Sequence, residues 1–257
     1  MTIHIYQGEI IVMIDWKHIT KHDLGKYFDY AILPKDTTEE VIRAECKKAI
    51  AYNCKAFCFS SSYWTPIVAE ELKGTDLLVG PAIGFPFGQQ TSAVKCFEAE
   101  EAVRMGGTVL DCCMNVGALK DKKYKEVLQE FKDFKKAAGP AMTKMIIEAE
   151  MLTDEEIATA CKLIAEADID WAKSSSGQYK GMTMEQVLIM VDTLKDSRTK
   201  VKVSGVKYPR PQNAYAFLLA GAELIGSRAA PEIIDSLDTM RRIGMIPEYE
   251  GPADPEE

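Results

Sequence analysis

Residues 144–174 read KMIIEAEMLTDEEIATACKLIAEADIDWAKS and contain one complete strand–helix–strand pattern. The stretch opens and closes with short β-rich runs at 144–149 and 170–174, each of strand length. Between them, Thr153-Asp-Glu-Glu156 places a hydroxyl and three acids where a helix N-terminus prefers them. Two strands that a helix connects usually lie parallel in one sheet. The stretch therefore predicts one β-α-β unit of a parallel sheet.

The same alternation extends outward from this unit over residues 25–243. Short β-rich runs lie at 28–33, 56–60, 77–85, 109–116, 144–149, 170–174, 201–206 and 223–227. Helical periodicity separates them, as in the i, i+3, i+4, i+7 spacing of Tyr124, Val127, Leu128 and Phe131. Eight such units, without a Pro/Gly/Ser-rich linker, predict a single (β/α)8 TIM barrel of the α/β class. An open doubly wound sheet is the alternative, but no Gly-x-Gly-x-x-Gly follows the first strand.

The two ends of the chain lie outside this repeat. Residues 1–24 form an N-terminal extension, which we expect to be a hairpin or strand followed by a cap helix beginning near Thr20. Residues 25–244 form the barrel. Residues 245–257 form an acidic tail rich in proline, a composition typical of disorder.

Charge and composition exclude several classes of partner. The 257 residues include 31 Lys and Arg against 39 Asp and Glu, which gives a formal net charge of −8. Nucleic acids and anionic membranes bind basic surfaces, so neither is an expected partner. The longest apolar run near the N-terminus is too short for a signal peptide or a membrane span. We expect a cytoplasmic protein.

The cysteines and histidines favour reduced thiols and no metal. The seven Cys residues are odd in number, two are adjacent, and several lie in apolar runs, as expected for buried free thiols. The three His residues all lie within the first 22 positions, away from the predicted strand ends. A metal-dependent enzyme with histidine ligands is therefore not expected.

Three charged residues interrupt apolar runs on the predicted strands, where barrel active sites lie. Lys173 ends the sixth strand, and burial there favours the neutral amine that forms a Schiff base. Lys202 lies on the next strand, where a second ammonium group repels the first. Asp111, on the fourth strand, supplies a carboxylate for charge pairing and proton transfer. The alternatives are a surface lysine at Lys173, a solvent-facing strand around Lys202, and charge balance alone for Asp111.

Several motifs in one order resemble those of the deoxyribose-phosphate aldolase family over residues 26–242. They are Gly84-Phe-Pro-Phe-Gly88 with Thr91 and Lys95, Asp111 through Asn115-Val-Gly-Ala-Leu-Lys120, Lys144-Met-Ile-Ile-Glu148, Lys173-Ser-Ser-Ser-Gly177, Lys202-Val-Ser-Gly205 and Ala220-Gly-Ala-Glu-Leu-Ile-Gly226.

The resemblance implies a class I aldolase that joins acetaldehyde to glyceraldehyde 3-phosphate reversibly and needs no metal or other cofactor. It makes Lys173 the Schiff-base lysine, Lys202 the lysine that tunes it, and Asp111 the acid/base acting through a water. Three more residues match positions where the family places supporting side chains, namely Asp29, Cys58 and Lys144.

The chain departs from the family at the first strand and at the expected anion site. The family's Asp-His-Thr is here Asp29-Tyr30-Ala31, and its Gly-Gly pair with arginine is reduced to Gly205, followed by Val206-Lys207. Arg228, and alternatively Lys207, could replace the lost contacts by holding a phosphate or a carboxylate. The expected substrate-binding residues are Asp29, Cys58, Lys144, Gly177, Ser204, Gly205, Gly226, Ser227 and Arg228.

Three functions remain open at this point. The first is cleavage of 2-deoxyribose 5-phosphate by a Schiff-base aldolase. The second is the same lysine chemistry on another sugar, phosphorylated or not, or on a keto acid held by Arg228. The third is a non-catalytic barrel that binds a sugar phosphate or a partner protein, although two buried amines have no use there. The expected partners are small aldehyde and sugar-phosphate substrates and further copies of the chain, in a homodimer or homotetramer.

Overall fold

Eight parallel strands close into a barrel in the computed structural model, which describes residues 4–6, 9–11 and 14–252. An antiparallel pair comes first, β1 (His4–Tyr6) and β2 (Glu9–Ile11). The barrel strands are β3 (Phe28–Ile32), β4 (Ala56–Phe59), β5 (Leu78–Ile83), β6 (Val109–Cys113), β7 (Met142–Ile146), β8 (Trp171–Lys173), β9 (Lys200–Ser204) and β10 (Leu224–Ser227). Neighbours in sequence are neighbours in the barrel, and β10 pairs with β3 to close it. The eight predicted strands and the (β/α)8 barrel are confirmed.

Helices connect the strands and cover the outside of the barrel. They are α1 (Lys21–Leu24), α2 (Glu39–Ala51), α3 (Thr65–Glu71), α4 (Ser92–Arg104), α5 (Val116–Lys120), α6 (Tyr124–Ala138), α7 (Asp154–Glu166), α8 (Met184–Leu194), α9 (Arg210–Leu219), α10 (Ala230–Asp235) and α11 (Leu237–Arg242). The predicted start of α7 is confirmed, since Thr153 and Glu156 form a reciprocal capping box. Side-chain caps of this kind also begin α1, α2, α5 and α8.

The apolar core lies between the strands and the helices. Phe57 and Phe59 on β4, for example, are fully buried and belong to the main cluster. A separate small cluster of Ala56, Cys58 and Val109 lies on the opposite face of the same strands. Because side chains alternate along a strand, this second face lines the barrel interior. The small residues there leave space for the charged side chains described below.

The N-terminal extension and the C-terminal segment meet each other. The expected hairpin and the cap helix at Thr20 are present, with Thr20 and Asp23 forming a capping box. The expectation of disorder differs from the structure over residues 245–252. Ile246 is buried there, and the Glu250 N–H donates to the Lys17 carbonyl at 2.8 Å. Apolar packing and backbone pairing therefore hold this segment, and the rest of the tail, 253–257, lies outside the described residues.

Within the described residues, no helix is long and apolar enough to cross a membrane. All seven cysteines are free thiols, and only Cys96 is not buried. This agrees with the sequence prediction of reduced, mostly buried cysteines.

Candidate active site

Five charged side chains are buried together inside the barrel. Asp29, Asp111, Lys144 and Lys202 are at most 1% exposed, and Lys173 is 6% exposed. The strand register aligns them, because Lys173 is opposite Lys202 and Asp111 is opposite Lys144. The alternative of a surface lysine at Lys173 and that of a solvent-facing strand at Lys202 are therefore wrong.

Asp111 is the centre of this group. Its Oδ2 accepts from Lys173 Nζ at 2.6 Å and from Lys202 Nζ at 2.8 Å. Lys144 Nζ lies 3.8 Å from the other oxygen, Oδ1, which has no hydrogen-bond partner among the described residues. The Oδ2 atom of Asp111 thus holds two lysines close together, whereas its Oδ1 atom makes no hydrogen bond with the described residues.

Asp29 completes the network on the first barrel strand. Its Oδ2 contacts Lys202 Nζ at 2.6 Å and also accepts a short hydrogen bond from Lys144. Lys202 and Lys144 therefore each approach both carboxylates, whereas Lys173 contacts Asp111 alone. Lys173 is thereby the least tightly held and the most accessible of the three amines.

The buried charges set the protonation of this network. Burial alone lowers the pKa of Lys202, but the carboxylates of Asp111 and Asp29 outweigh it and hold the pKa well above its ordinary value. Burial alone raises the pKa of Asp111, but the three lysines outweigh it and hold this pKa far below its ordinary value. The same balance lowers the pKa of Asp29. These shifts favour ionised carboxylates and a protonated Lys202 at neutral pH.

Cys58 lies beside the lysines on β4. Its Sγ is 3.9 Å from Lys202 Nζ, and burial raises the pKa of the thiol to about 12. The neighbouring strand carries Gly80, where a Cβ would lie 2.9 Å from this sulfur. Cys58 is therefore a protonated thiol that fills space next to Lys202.

Two glutamates that follow β7 hold the loop that follows Lys173. Glu148 Oε1 accepts the Ser176 N–H at 2.8 Å, and Glu150 accepts the Ser175 hydroxyl at 2.7 Å and the Gly181 N–H at 2.9 Å. Sequence reasoning assigned neither glutamate a role. The available signal in the sequence was that Glu148 and Glu150, two acidic residues within three positions, follow a buried strand.

The loops after β8 and β9 meet at glycines. Gly181 and Gly205 both have positive φ, and a Cβ on Gly181 would collide with the Gly205 carbonyl. Gly226 is crowded in the same way by the Ser204 hydroxyl and by Lys202 Cε. Gly226, one of the expected substrate-binding residues, therefore makes room for these two side chains.

Arg228 and Ser227 are not drawn into the barrel. Arg228 is exposed, and among the described residues no carboxylate, including that of Glu232 four residues further on, lies within 4.0 Å of its guanidinium. On α2, burial raises the pKa of Glu45, but hydrogen bonds from Lys48 and Tyr30, with smaller contributions from the Lys48 and Arg228 charges, outweigh it and lower this pKa. The Ser227 hydroxyl accepts the Ala229 N–H at 3.0 Å. Lys207 is also exposed. Two other expected substrate-binding residues, Gly177 and Gly205, lie in the loops that follow β8 and β9.

A cleft of about 360 Å³ opens at the barrel mouth beside these loops. The residues around it are largely apolar or aromatic: Pro86, Phe87, Cys113, Met114, Val116, Ile146, Met151 and Tyr179, with Gln89, Gly117, Lys120 and Glu148. Within the described residues, no group of three or more His, Cys, Asp or Glu side chains is placed to hold a metal ion. The site thus combines a buried lysine–aspartate network with an open cleft.

A second buried ion pair supports the strand that carries Asp111. Lys95 Nζ contacts Glu130 at 2.9 Å and donates to the Cys113 carbonyl at 2.9 Å, and both side chains are nearly inaccessible. Lys95 belongs to one of the family motifs in the sequence, but the sequence did not indicate that Glu130 is its partner. Glu130 lies on α6 among regularly spaced polar residues, so the sequence pattern gave no sign of its burial.

Comparison with known proteins places this geometry among aldolases. Residues 10–207 match the family model described as DeoC/LacD family aldolase. "Deoxyribose-phosphate aldolase 1" of Mesoplasma florum is 39% identical over 212 residues, which are 82% of this chain and 95% of that protein. "Deoxyribose-phosphate aldolase" of Clostridium novyi is 38% identical over 215 residues, 83% and 96% of the two chains.

Solved structures agree with the sequence comparison. A protein described as "QR15, an Aldolase" superposes with a TM-score of 0.78 at 32% identity, covering 86% of this chain and 98% of that one. The deoxyribose phosphate aldolase of Aeropyrum pernix, described as having a unique tetrameric structure, has a TM-score of 0.78 at 25% identity, with coverage of 86% and 93%.

Proposed function

The chain belongs to the DeoC/LacD family of aldolases, and we propose that it is a class I aldolase that reversibly cleaves 2-deoxyribose 5-phosphate to acetaldehyde and glyceraldehyde 3-phosphate. The observation that carries the proposal is the contact of Lys173 Nζ with Asp111 inside a barrel that also buries Lys202. Such a lysine–carboxylate group supplies an amine nucleophile and a proton acceptor at one point.

Charge balance makes Lys173 the nucleophile. The network buries three lysines but only two aspartates, so full protonation leaves one uncompensated positive charge inside the barrel. Lys202 keeps its proton because it lies between both carboxylates, and Lys144 contacts both as well. Lys173 has one carboxylate contact and is the most exposed of the three amines, so it is the one placed to meet the aldehyde. Its neutral amine then attacks the aldehyde carbonyl to form the Schiff base.

Lys202 and Asp111 act on this amine in opposite ways. The Lys202 cation shares Asp111 Oδ2 with Lys173, so a positive charge on Lys173 would be repelled by the one on Lys202. Asp111 is ionised, and its Oδ1 makes no hydrogen bond with the described residues. Carbon–carbon bond formation requires an enamine, which forms when the carbon next to the imine carbon loses a proton. This oxygen can accept that proton, directly or through a water.

Asp29 and Lys144 position the other charged side chains of the buried network. Lys144 links the two carboxylates, and Asp29 holds Lys202 from the side away from Asp111. Neither is as close to the barrel mouth as Lys173, since both are fully buried. We assign them to positioning rather than to contact with the aldehyde.

The acceptor aldehyde lies toward the loops after β8, β9 and β10 in this proposal. Gly177 and Gly205 provide backbone N–H groups for a phosphate, with Ser204, Gly226 and Ser227 at the adjoining strand ends. Arg228 and Lys207 are exposed, so they contribute long-range attraction for an anion rather than a buried contact. Because Arg228 and Lys207 make no buried contact with an anion, a second candidate function stays open. It is an aldolase of the same family that uses a different or uncharged acceptor.

Trapping and cleavage experiments test the proposal directly. Borohydride reduction with acetaldehyde should leave an ethyl group on Lys173, and Lys173→Arg should abolish turnover because a guanidinium stays protonated. Peptide mapping that finds the label only on other lysines contradicts the assignment. Retro-aldol assays with 2-deoxyribose 5-phosphate and free 2-deoxyribose separate the two candidate acceptors. Gel filtration tests the homodimer or homotetramer that we also propose.

A further inference from the structure

Glu148 is a buried carboxyl group at the barrel mouth that the proposed mechanism leaves unused. Its side chain is 4% exposed and lines the cleft together with Cys113 and Ile146. Its backbone lies in the left-handed region, with φ 53° and ψ 59°, at the point where β7 turns into its loop. One carboxyl oxygen accepts the Ser176 N–H, so the side chain is fixed rather than free to rotate.

Backbone pairing places Glu148 directly beside Lys173. Ile146 pairs with Lys173 in the register of β7 and β8, and the Ile147 N–H donates to the Lys173 carbonyl at 3.0 Å. The Ala149 N–H donates to the Ser174 carbonyl at 2.8 Å, so Glu148 lies between these two links. Asp111 contacts the same lysine from inside the barrel. The Lys173 amine therefore contacts the Asp111 carboxylate directly, and the Glu148 carboxyl group on the adjoining loop is close enough to feel the Lys173 charge.

The two carboxyl groups are tuned in opposite directions. The lysines hold the pKa of Asp111 far below its ordinary value, whereas burial holds the pKa of Glu148 above its ordinary value. The Ser176 N–H and the Lys173 charge act against this rise, and the Glu150 carboxylate adds to it. Cys113 and Lys120 also face Glu148 across the cleft. A pair of carboxyl groups whose environments separate their pKa values is the usual sign of one base and one acid.

We propose that Glu148 is the general acid that removes water from the carbinolamine formed when acetaldehyde adds to Lys173. This inference rests on the proposed Schiff-base function and adds a second proton-transfer group to it. The Glu148 proton moves to the carbinolamine hydroxyl, the C–O bond breaks, and water leaves. The nitrogen lone pair forms the C=N bond, which gives a protonated imine beside the Glu148 carboxylate. In the reverse direction the carboxylate takes a proton from the attacking water.

The test uses the full-length enzyme and acetaldehyde alone, with the imine trapped by borohydride at short times. Glu148→Gln keeps an oxygen that can accept the Ser176 N–H but cannot supply a proton. We expect it to slow imine formation about 100-fold while the final amount of trapped imine stays unchanged. Glu150→Gln is the matched control, because Glu150 holds the same loop but does not line the cleft. Its effect should stay within about threefold, the scale of one weakened hydrogen bond.

The pH dependence separates proton donation from simple positioning. In the wild type the rate of imine formation should fall as pH rises through the pKa of Glu148, and Glu148→Gln should lose this decline. Imine formation at the wild-type rate in Glu148→Gln would overturn the inference, and so would equal slowing in Glu150→Gln. A wild-type enzyme that never forms the imine would refute the proposed function itself, and Glu148 would lose its role with it.

Discussion

Replacing Lys202 by methionine tests the charge balance that makes Lys173 nucleophilic. The change removes a buried cation that contacts both Asp111 and Asp29, and leaves two lysines with two aspartates. The interior is then neutral only if Lys173 keeps its proton. Lys173 Nζ and Lys202 Nζ both contact Asp111 Oδ2, so they are about 5 Å apart, and two charges at that distance repel by roughly 3 kcal/mol at an effective dielectric constant of about 20. We therefore expect imine formation on Lys173 to slow by about 100-fold in this variant at pH 7.

The assay is borohydride trapping of acetaldehyde on Lys173 at pH 7. In Lys202→Met the trapping rate should fall about 100-fold relative to the wild type. Lys200→Met is the matched control: Lys200 lies on the same strand, half exposed, and pairs with Glu223 at 3.4 Å. Removing one partner of a buried ion pair also costs about 3–5 kcal/mol, so folding is checked by urea denaturation. A folded Lys202→Met protein that traps acetaldehyde at the wild-type rate at pH 7 would refute the reasoning.

Three further substitutions separate catalysis, anion attraction and stability. Asp111→Asn should lower turnover about 10²–10⁴-fold in a retro-aldol assay, and an unchanged rate would limit Asp111 to charge balance. Arg228→Ala should raise KM for a phosphorylated acceptor by less than about fivefold, because an exposed charge is screened by solvent; a larger effect would place the guanidinium on the phosphate. Asp170→Asn should destabilise the fold by about 1–3 kcal/mol at pH 7, since Asp170 accepts from Lys135 and from the Thr143 N–H at 2.7 and 2.8 Å. These partners outweigh burial and lower the pKa of Asp170. Its stabilisation is therefore present above about pH 4 and lost as pH falls through the lowered pKa, so urea denaturation at pH 3 should show a smaller difference.

The active site has a layered construction that explains why its chemistry is confined to one amine. Asp29 and Lys144 are fully buried, Asp111 and Lys202 are 1% exposed, and Lys173 is the most exposed of the five at 6%. Each layer restricts the protonation of the next, because charge inside a barrel must be balanced locally. A substitution in the deep layer should therefore change the behaviour of Lys173 without touching the substrate.

The sequence by itself determined the barrel. Strand-length apolar runs alternate with amphipathic helices that local signals start, such as the Thr153–Glu156 capping box, and these patterns depend only on neighbouring residues. The barrel was confirmed because these patterns need no knowledge of distant contacts. The sequence also marked Asp111, Lys173 and Lys202 as charged residues within apolar runs, but it left open a surface position for Lys173 and a solvent-facing strand around Lys202.

Only the tertiary structure decided which charged groups pair and which do not. The bond between Lys144 and Asp29 spans 115 positions and exists because β10 pairs with β3 and closes the barrel. Arg228 follows the last strand, as the sequence suggests, yet its side chain remains exposed. Glu148 reaches Ser176 because its backbone adopts a left-handed conformation where β7 ends. Side-chain direction at a strand end is set by such loop conformations and by packing against other loops, and strand periodicity stops where those loops begin.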